Sequence, residues 1–297
     1  MNRRPPQWVL DTGLFYCALI WGSTFFIVKD IVSAVDPLAL VGYRFLLSAL
    51  ALAPWALTRR RPGNLLREGM VLGSLLLLLY ATQTAGLLHT TASNSAFITG
   101  TFIFFIPLFL LIFLGQKPTI GQWTAVSLAG GGLWLLTGGI SGFNRGDALT
   151  VFAAMAYAGH LLATDRYVRG QDDTVLLAFH QFWFCGAASL VLCGATGASF
   201  AVPSAASWGW IFFLAIFPNL SAFFIQIAAQ RHTSPIKVGL IFSLEPVFAA
   251  LFAWTLGGEE FSSRRASGGG LIIGGMILGE LSKLTLRGGR KKEVLPL

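Results

Sequence analysis

Long runs of hydrophobic residues, separated by short polar segments, follow one another along almost the whole chain. Each run is close to the about 20 apolar residues that an α-helix needs to cross the hydrocarbon core of a bilayer. No connecting segment is long enough to form a separate soluble domain. The pattern predicts an all-α integral membrane protein with ten transmembrane helices, over residues 9–32, 37–57, 69–88, 93–114, 122–140, 148–168, 175–195, 207–229, 237–256 and 267–284.

The fourth predicted span, 93–114, contains polar positions inside an apolar run. Asn94 and Thr99 lie in its first half, and Pro107 interrupts its second half. Polar side chains in hydrocarbon are costly, so we expect them to face the protein interior or a wet cavity. Residues 234–246 repeat this mixture of hydroxyls and proline in the second half of the chain. We expect the two segments to be facing walls of one central site.

The composition supports this interpretation and excludes an ordinary soluble protein. Hydrophobic residues make up 55% of the chain and charged residues only 11%, against about 25% charged in soluble domains. The 34 glycines are typical of helices that pack closely in lipid, where small residues let backbones approach. The lipid bilayer is therefore an expected partner.

The charge and the cysteines indicate no further partner. The net charge of +8 comes from basic residues in short loops between apolar runs, so it does not indicate nucleic-acid binding. Cys17, Cys185 and Cys193 lie inside apolar runs without the spacing of metal ligands, and buried free thiols are the simpler interpretation. We expect no cofactor and no metal site.

The distribution of basic residues orients the predicted spans. Cytoplasmic loops of membrane proteins carry an excess of Lys and Arg. With ten spans and a cytoplasmic N-terminus, most of the 21 Lys and Arg residues lie inside, and only Lys29, Arg145, Arg264 and Arg265 lie outside. The sequence therefore predicts a multi-pass protein of the cell inner (plasma) membrane with both termini in the cytoplasm.

The two halves of the chain repeat one another at a nearly constant separation. The matches are Asp36-Pro37 with Asp173-Thr174, Pro107 with Pro246, and Gly130-Gly131-Gly132 with Gly268-Gly269-Gly270. They indicate a duplicated unit of five helices, residues 1–142 and 143–297. Because five is odd, the copies insert with opposite topology, which predicts two inverted five-helix repeats. Secondary transporters with such repeats bind substrate near the midplane, between the copies.

Three motifs resemble the EamA-type members of the drug/metabolite transporter superfamily: Trp21-Gly22-Ser23-Thr24-Phe25, Thr99-Gly100 before Pro107, and Ser243-Leu244-Glu245-Pro246-Val247-Phe248-Ala249-Ala250. The resemblance covers nearly the whole chain and includes the glycine-rich fifth and tenth spans. It implies a secondary transporter of a small-molecule substrate. Length and aromatic content are similar to the YddG-like aromatic amino acid exporters.

Helical spacing collects aromatic and polar residues on common faces of several spans. A cavity for an amino acid or similar metabolite needs this mixture of flat apolar contacts and hydrogen-bonding groups. The alternative is that these groups form interhelical hydrogen bonds that only hold the bundle together. The candidate substrate-binding residues are Trp21, Thr24, Tyr80, Gln83, Asn94, Thr99, Tyr157, His160, Asn219, Gln226 and Ser243.

Arg44 in the second span and Glu245 in the ninth are predicted to lie at similar depths in the membrane. A lone charge there would cost several kcal/mol, which pairing would reduce. We expect an interhelical ion pair that is structural or takes part in coupling, with Glu245 available to carry protons. The alternative is a structural Glu245 that bonds to backbone freed by Pro246.

The predicted function is export of amino acids, aromatic ones included, or related small metabolites by alternating access. A multidrug or other metabolite exporter of the same superfamily is one alternative, and a membrane-embedded lipid-modifying enzyme is another. An enzyme would need clustered acids or a nucleophile at one membrane face. The dense acid pairs are Asp172-Asp173 and Glu259-Glu260, and an aspartate pair at a helix start is more simply a capping feature. We expect no enzymatic activity.

Overall fold

The computed structural model describes residues 6–59, 65–115, 120–137, 142–168, 173–233, 238, 241–242 and 244–290, and no β-strand occurs among them. The helices are α1 (Gln7–Ile31), α2 (Pro37–Leu57), α3 (Leu66–Gly86), α4 (Ala92–Gly100), α5 (Phe102–Leu114), α6 (Ile120–Thr137), α7 (Arg145–Val168), α8 (Thr174–Ala195), α9 (Ala205–Leu214), α10 (Ala222–Gln230), α11 (Glu245–Thr255) and α12 (Ser263–Arg290). A π-helical segment, Ala215–Ser221, joins α9 to α10.

Seven stretches of helix in the described residues are long and apolar enough to cross a membrane. They coincide with the predicted spans one to four and six to eight. The other three predicted spans overlap α6, α11 and α12, which are not among the seven. The all-helical membrane fold is therefore confirmed, and the count of ten spans stays a prediction.

Two of the seven spans are interrupted. In the fourth, Thr101 separates α4 from α5, and its hydroxyl donates a hydrogen bond to the Ile98 carbonyl at 2.6 Å. In the span that corresponds to the eighth predicted one, the π-helical segment contains Pro218, which has no backbone N–H. Segments of π-helix leave backbone groups displaced from the regular ladder and occur frequently at functional sites.

The bundle buries polar side chains within a mostly apolar interior and exposes large apolar side chains on its outer surface. Large apolar side chains such as Leu50, Ile112 and Val191 are more than 60% exposed. Arg44 and Gln181, in contrast, are buried. This arrangement suits hydrocarbon, in which polar groups must find partners within the protein.

Glycines allow close helix crossings between the two halves, one of them where α2 meets α8. A Cβ atom on Gly186 would come within 2.7 Å of the Leu46 backbone nitrogen and 3.0 Å of the Gly42 carbonyl oxygen. The two backbones therefore touch without an intervening side chain. The fifth and tenth predicted spans meet in the same way, because Gly132 on α6 lies against the backbone of Gly268 on α12.

We predict that Gly186→Ala destabilises the protein by about 1–3 kcal/mol, because the added methyl group would overlap backbone atoms of α2 as well as the Leu46 side chain. The matched control is Gly209→Ala on α9, where a Cβ would meet nothing within 4 Å. Thermal unfolding in detergent compares the two variants. Equal melting temperatures for Gly186→Ala and wild type would show that this crossing is not tightly packed.

Candidate functional site

A cavity lies among six helices in the centre of the bundle. Helices α1, α3 and α4 come from the first half of the chain, and α7, α10 and α11 come from the second. The cavity has a volume of about 20 Å³, enough for about one water molecule. Its walls are Trp21, Thr24 and Phe25 on α1, Leu79, Tyr80 and Gln83 on α3, Thr99 on α4, Tyr157 on α7, Phe223 on α10 and Glu245 on α11.

Aromatic residues make up half of the wall. Trp21 packs against Phe223 with ring centroids 5.3 Å apart, and Tyr80 lies 6.4 Å from the same phenylalanine. Tyr157 is held from behind by Phe102, at 4.3 Å between centroids. These contacts give the cavity flat, rigid apolar surfaces that can take the ring or chain of a small molecule.

The polar groups on the wall are few and separately placed. Gln83 donates from Nε2 to the Thr99 hydroxyl at 3.0 Å, which joins α3 to α4 at the cavity. The Thr24 hydroxyl donates to the Trp21 carbonyl of its own helix at 2.7 Å. Glu245 is 93% buried, and its Oε2 atom has no hydrogen-bond partner in the described part of the chain. The cavity thus combines a carboxyl, an amide and two threonine hydroxyls with aromatic walls.

The motif in α1 and the motif around Glu245 meet at this cavity. A Cβ on Gly22 would lie 2.9 Å from the Glu245 carbonyl oxygen and 3.0 Å from the Ala249 nitrogen. Glycine is therefore required for α11 to approach α1 so closely. The approach carries Trp21 and Thr24, on either side of Gly22, to the same cavity as Glu245.

Side chains of α1 and α2 donate hydrogen bonds to backbone carbonyls of the π-helical segment and of its junction with α10. Trp21 donates from Nε1 to the Pro218 carbonyl at 2.8 Å, and the Cys17 thiol donates to the Ala222 carbonyl at 3.3 Å. The Ser48 hydroxyl donates to the Ala215 carbonyl at 2.8 Å. The irregular backbone is satisfied inside the protein, as the membrane requires.

The same segment provides the partner of a buried cation. Arg44 on α2 is 1% exposed, and its Nε and Nη2 atoms both donate to the Asn219 side-chain oxygen, at 3.1 and 2.6 Å. The guanidinium also lies over the rings of Tyr80 and Phe45, 4.7 and 5.6 Å from their centroids. Cation–π contact and an amide dipole therefore stabilise this charge.

The predicted ion pair between Arg44 and Glu245 does not form in this conformation, in which Arg44 bonds to Asn219 instead. An ion pair elsewhere in the described residues joins Arg59 to Asp173 at 3.0 Å. Equal depth in the membrane does not bring two side chains together when another helix supplies a nearer acceptor. A direct pair in another conformation stays a prediction.

The structure separates the predicted binding residues into groups. Trp21, Thr24, Tyr80, Gln83, Thr99, Tyr157 and Glu245 line the cavity. Asn219 is bonded to Arg44, while Asn94 lines a different, polar pocket with Lys29 and Arg264. Ser243 lies outside the described residues.

Two predicted residues lie among buried side chains that do not line the cavity. His160 forms a hydrogen bond through Nε2 with the Gln181 side-chain oxygen at 3.1 Å and packs edge-on against Phe223. Gln226 donates to Gln230 at 3.4 Å, a hydrogen bond along α10. Phe223 therefore stands between His160 and the cavity.

The cavity residues Phe25, Leu79 and Phe223 were not among the candidate substrate-binding residues. Phe25 follows Trp21 by one helical turn, and Leu79 precedes Gln83 by one turn. Helical spacing therefore placed Phe25 and Leu79 on the same faces as the polar candidates. An apolar residue on such a face is equally well explained by ordinary helix packing, so spacing alone does not identify it as a binding residue.

One acid in each of the two pairs considered for catalysis, Asp173 and Glu259, has a structural partner. The Asp173 side chain caps α8 by accepting a hydrogen bond from the Leu176 nitrogen at 3.1 Å. Glu259 accepts hydrogen bonds from the nitrogen and the hydroxyl of Ser93, at 3.1 and 2.5 Å, at the start of α4. Asp172 lies outside the described residues. Within the described residues, no three His, Cys, Asp or Glu side chains are grouped as metal ligands would be.

Asn219→Leu is expected to destabilise the protein by about 3 kcal/mol, because it leaves a buried guanidinium without its acceptor. Adding Arg44→Met removes the charge as well, so the double variant is expected to recover part of the loss. Thermal unfolding of wild type, both single variants and the double variant measures the coupling. Strictly additive losses would show that the two side chains do not depend on each other.

Comparison with known proteins identifies the family of this cavity-forming bundle. The EamA-like transporter family model matches residues 10–138 and again 144–279. An uncharacterized transporter of Archaeoglobus fulgidus is 31% identical over 268 residues, covering 90% of this chain and 84% of the relative. The uncharacterized inner membrane transporter YedA of Escherichia coli K12 is 25% identical over 280 residues, covering 91% and 90%.

A protein of known crystal structure superposes with a TM-score of 0.67 at 19% identity, covering 93% of this chain and 98% of that protein, which supports the fold alone. The family model matches most of the chain, in two successive segments. The chain therefore belongs to the EamA-like transporter family and is a membrane transporter.

Proposed function

We propose that this transporter exports amino acids, with aromatic ones favoured, or related small metabolites across the inner membrane. The observation that carries the proposal is the central cavity, to which each half of the chain contributes three helices. Five aromatic rings around a carboxyl, an amide and two hydroxyls match the needs of a small amphipathic substrate. Export is the direction implied by the resemblance to exporters.

Alternating access is the mechanism that fits this cavity. Room for about one water does not admit an amino acid, so the walls must separate to bind one. We assign the bending points to the interruption at Thr101 and to the π-helical segment at 215–221, where the helical ladder is already broken. Movement there would open the cavity without unfolding a regular helix.

We also propose the ten-span fold with two inverted repeats. Corresponding neighbours in the two halves support it: a Cβ on Gly22 of α1 would lie 2.7 Å from Phe248 of α11, and a Cβ on Gly159 of α7 would lie 4.0 Å from Phe109 of α5. These residues occupy corresponding positions in the two copies. The pairings of α2 with α8 and of α6 with α12 each join corresponding helices, as a two-fold axis between the copies requires.

Protons are the coupling ion that we propose, with Glu245 as their carrier. It provides the only carboxyl among the described residues that line the cavity. A proton carrier must titrate and must be reachable from both sides in turn, and a group on the cavity wall meets the second condition. Transport by Glu245→Gln is expected to lose its pH dependence; unchanged pH dependence would exclude Glu245 from this role.

Thr99→Val and Gln83→Ala are expected to lower the rate of substrate exchange by about tenfold, because each removes a hydrogen-bonding group worth ~1 kcal/mol or more at the cavity. The measurement is counterflow of a panel of amino acids in proteoliposomes. The matched control is Thr124→Val on α6, where the hydroxyl is exposed and bonds only to its own helix. Wild-type exchange by both cavity variants would place the substrate elsewhere.

The proposed orientation is tested by labelling single cysteines with a membrane-impermeant thiol reagent, after replacement of the three buried native cysteines. Cysteines at Gly142 and Ser204 are expected to react from outside the cell. A cysteine at Gly63, which lies outside the described residues, is not expected to react. Labelling at Gly63 in sealed, right-side-out membranes would contradict the assignment of both termini to the cytoplasm.

A further inference from the structure

The charge on Arg44 is buried without a counter-charge. Its acceptor, Asn219, is a neutral amide, and no carboxylate lies within ion-pair distance of the guanidinium in the described residues. Only Nε and Nη2 donate hydrogen bonds there, although a guanidinium carries five N–H donors. An amide dipole and two aromatic rings reduce the cost of burying the charge but leave the site one negative charge short.

Glu245 is a buried acid that likewise lacks a partner of opposite charge in the described residues. It is an acid on the wall of the central cavity, it is 93% buried, and its Oε2 atom has no hydrogen-bond partner in the part of the chain that the structure describes. Glu245 and Arg44 are therefore two buried ionisable groups of opposite sign that do not satisfy each other.

Tyr80 connects these two groups. One face of its ring lies on the Arg44 guanidinium, 4.7 Å from the Cζ atom to the ring centroid. The same tyrosine lines the cavity together with Glu245. A shift of Tyr80 when the cavity widens would uncover the guanidinium to the space that Glu245 already borders.

We propose that Arg44 and Glu245 are the two ends of a receptor for a zwitterion. Arg44 accepts the substrate's carboxylate through its unused N–H groups, and Glu245 accepts hydrogen bonds from the substrate's ammonium group. The inference rests on the proposed function and narrows it to substrates that carry both charges. Arg44 is suited to this role because a guanidinium can bind a carboxylate with two parallel hydrogen bonds.

Charge balance gives the selectivity. When Glu245 is ionised, a zwitterion neutralises both buried charges at once, whereas an amine leaves Arg44 without a counter-charge and an acid leaves Glu245 without one. An uncompensated charge in a site closed to water is expensive. Substrates with a single charge are therefore discriminated against even when their apolar part fits the aromatic walls.

The first test uses matched analogues in the counterflow assay at pH 7 without an ion gradient. Phenylalanine is compared with 2-phenylethylamine and 3-phenylpropanoate, and leucine with 3-methylbutylamine and 4-methylpentanoate. Each singly charged analogue is expected to compete at least about tenfold more weakly than its amino acid.

The outcomes of this test separate the inference from the proposal on which it rests. Amino acid exchange with equally effective competition by either analogue would overturn the zwitterion receptor but leave the transport proposal intact. Saturable exchange of no amino acid in the panel would contradict the proposed function itself, and the receptor with it.

A second test supplies Arg44 with an internal counter-charge. Asn219→Asp places a carboxylate where the guanidinium already bonds, so the melting temperature is expected to hold or rise. Affinity for the exchanged amino acid is expected to fall at least about tenfold, while competition by the matching amine is expected to strengthen, because Arg44 then has a counter-charge when the amine is bound. A merely structural Arg44 would give the stability effect without the change in selectivity.

The matched control is Asn144→Asp at the start of α7. Its side-chain oxygen caps the helix by accepting hydrogen bonds from Gly146 and Asp147, and aspartate can accept the same bonds. This variant makes the same chemical change away from the cavity and is expected to keep wild-type selectivity.

Unchanged amino acid affinity in Asn219→Asp would show that Arg44 does not bind the carboxylate. If Asn219→Asp fails to fold, the wild-type analogue series still decides the proposal.

Discussion

A polar group surrounded by hydrocarbon must find its partner inside the protein, and the centre of this bundle is organised by that requirement. The π-helical segment around Pro218 would leave backbone carbonyls without donors. Side chains from α1 and α2 supply them, through Trp21, Cys17 and Ser48. In return, Asn219 on this segment holds the guanidinium of Arg44. An irregular helix and a buried charge thereby stabilise each other.

Close approach of backbones is the second condition of the site. Gly22 lets α11 reach α1, so that Trp21 and Thr24 share a cavity with Glu245. Gly186 likewise allows the backbones of α2 and α8 to come into contact where the two helices cross. In lipid, where burial of apolar surface gives little association between helices, such packing supplies much of the stability. The glycines of this transporter therefore position its functional residues as well as its helices.

Sequence patterns predicted which side chains share a helix face better than which other helix that face contacts. Trp21, Gln83 and Tyr157 were expected at a binding site, and they line one cavity because helical spacing decides which side chains share a face. Hydropathy likewise predicted seven of the spans that the structure describes. Both signals are local, so a single chain is enough to read them.

The partner of Arg44 could not be predicted in this way. Counting residues along two spans gives the depth of Arg44 and of Glu245, but it does not give the lateral distance between them. That distance depends on how the eighth span is interrupted, and a lone proline in an apolar run does not indicate a π-helical segment. Asn219 was expected to touch substrate, whereas its side chain bonds to another helix.

The central claim is that the cavity between the two halves is where substrate binds. A single cysteine at Thr24, on the cavity wall, tests it in a background without the native cysteines. The rate of its reaction with a small water-soluble thiol reagent is measured in proteoliposomes with and without an exchanged amino acid, beside a control cysteine at the exposed Thr124. The account predicts that saturating amino acid slows the reaction at position 24 severalfold and leaves that at position 124 unchanged. An unaltered rate at position 24, at concentrations that saturate exchange, would contradict it.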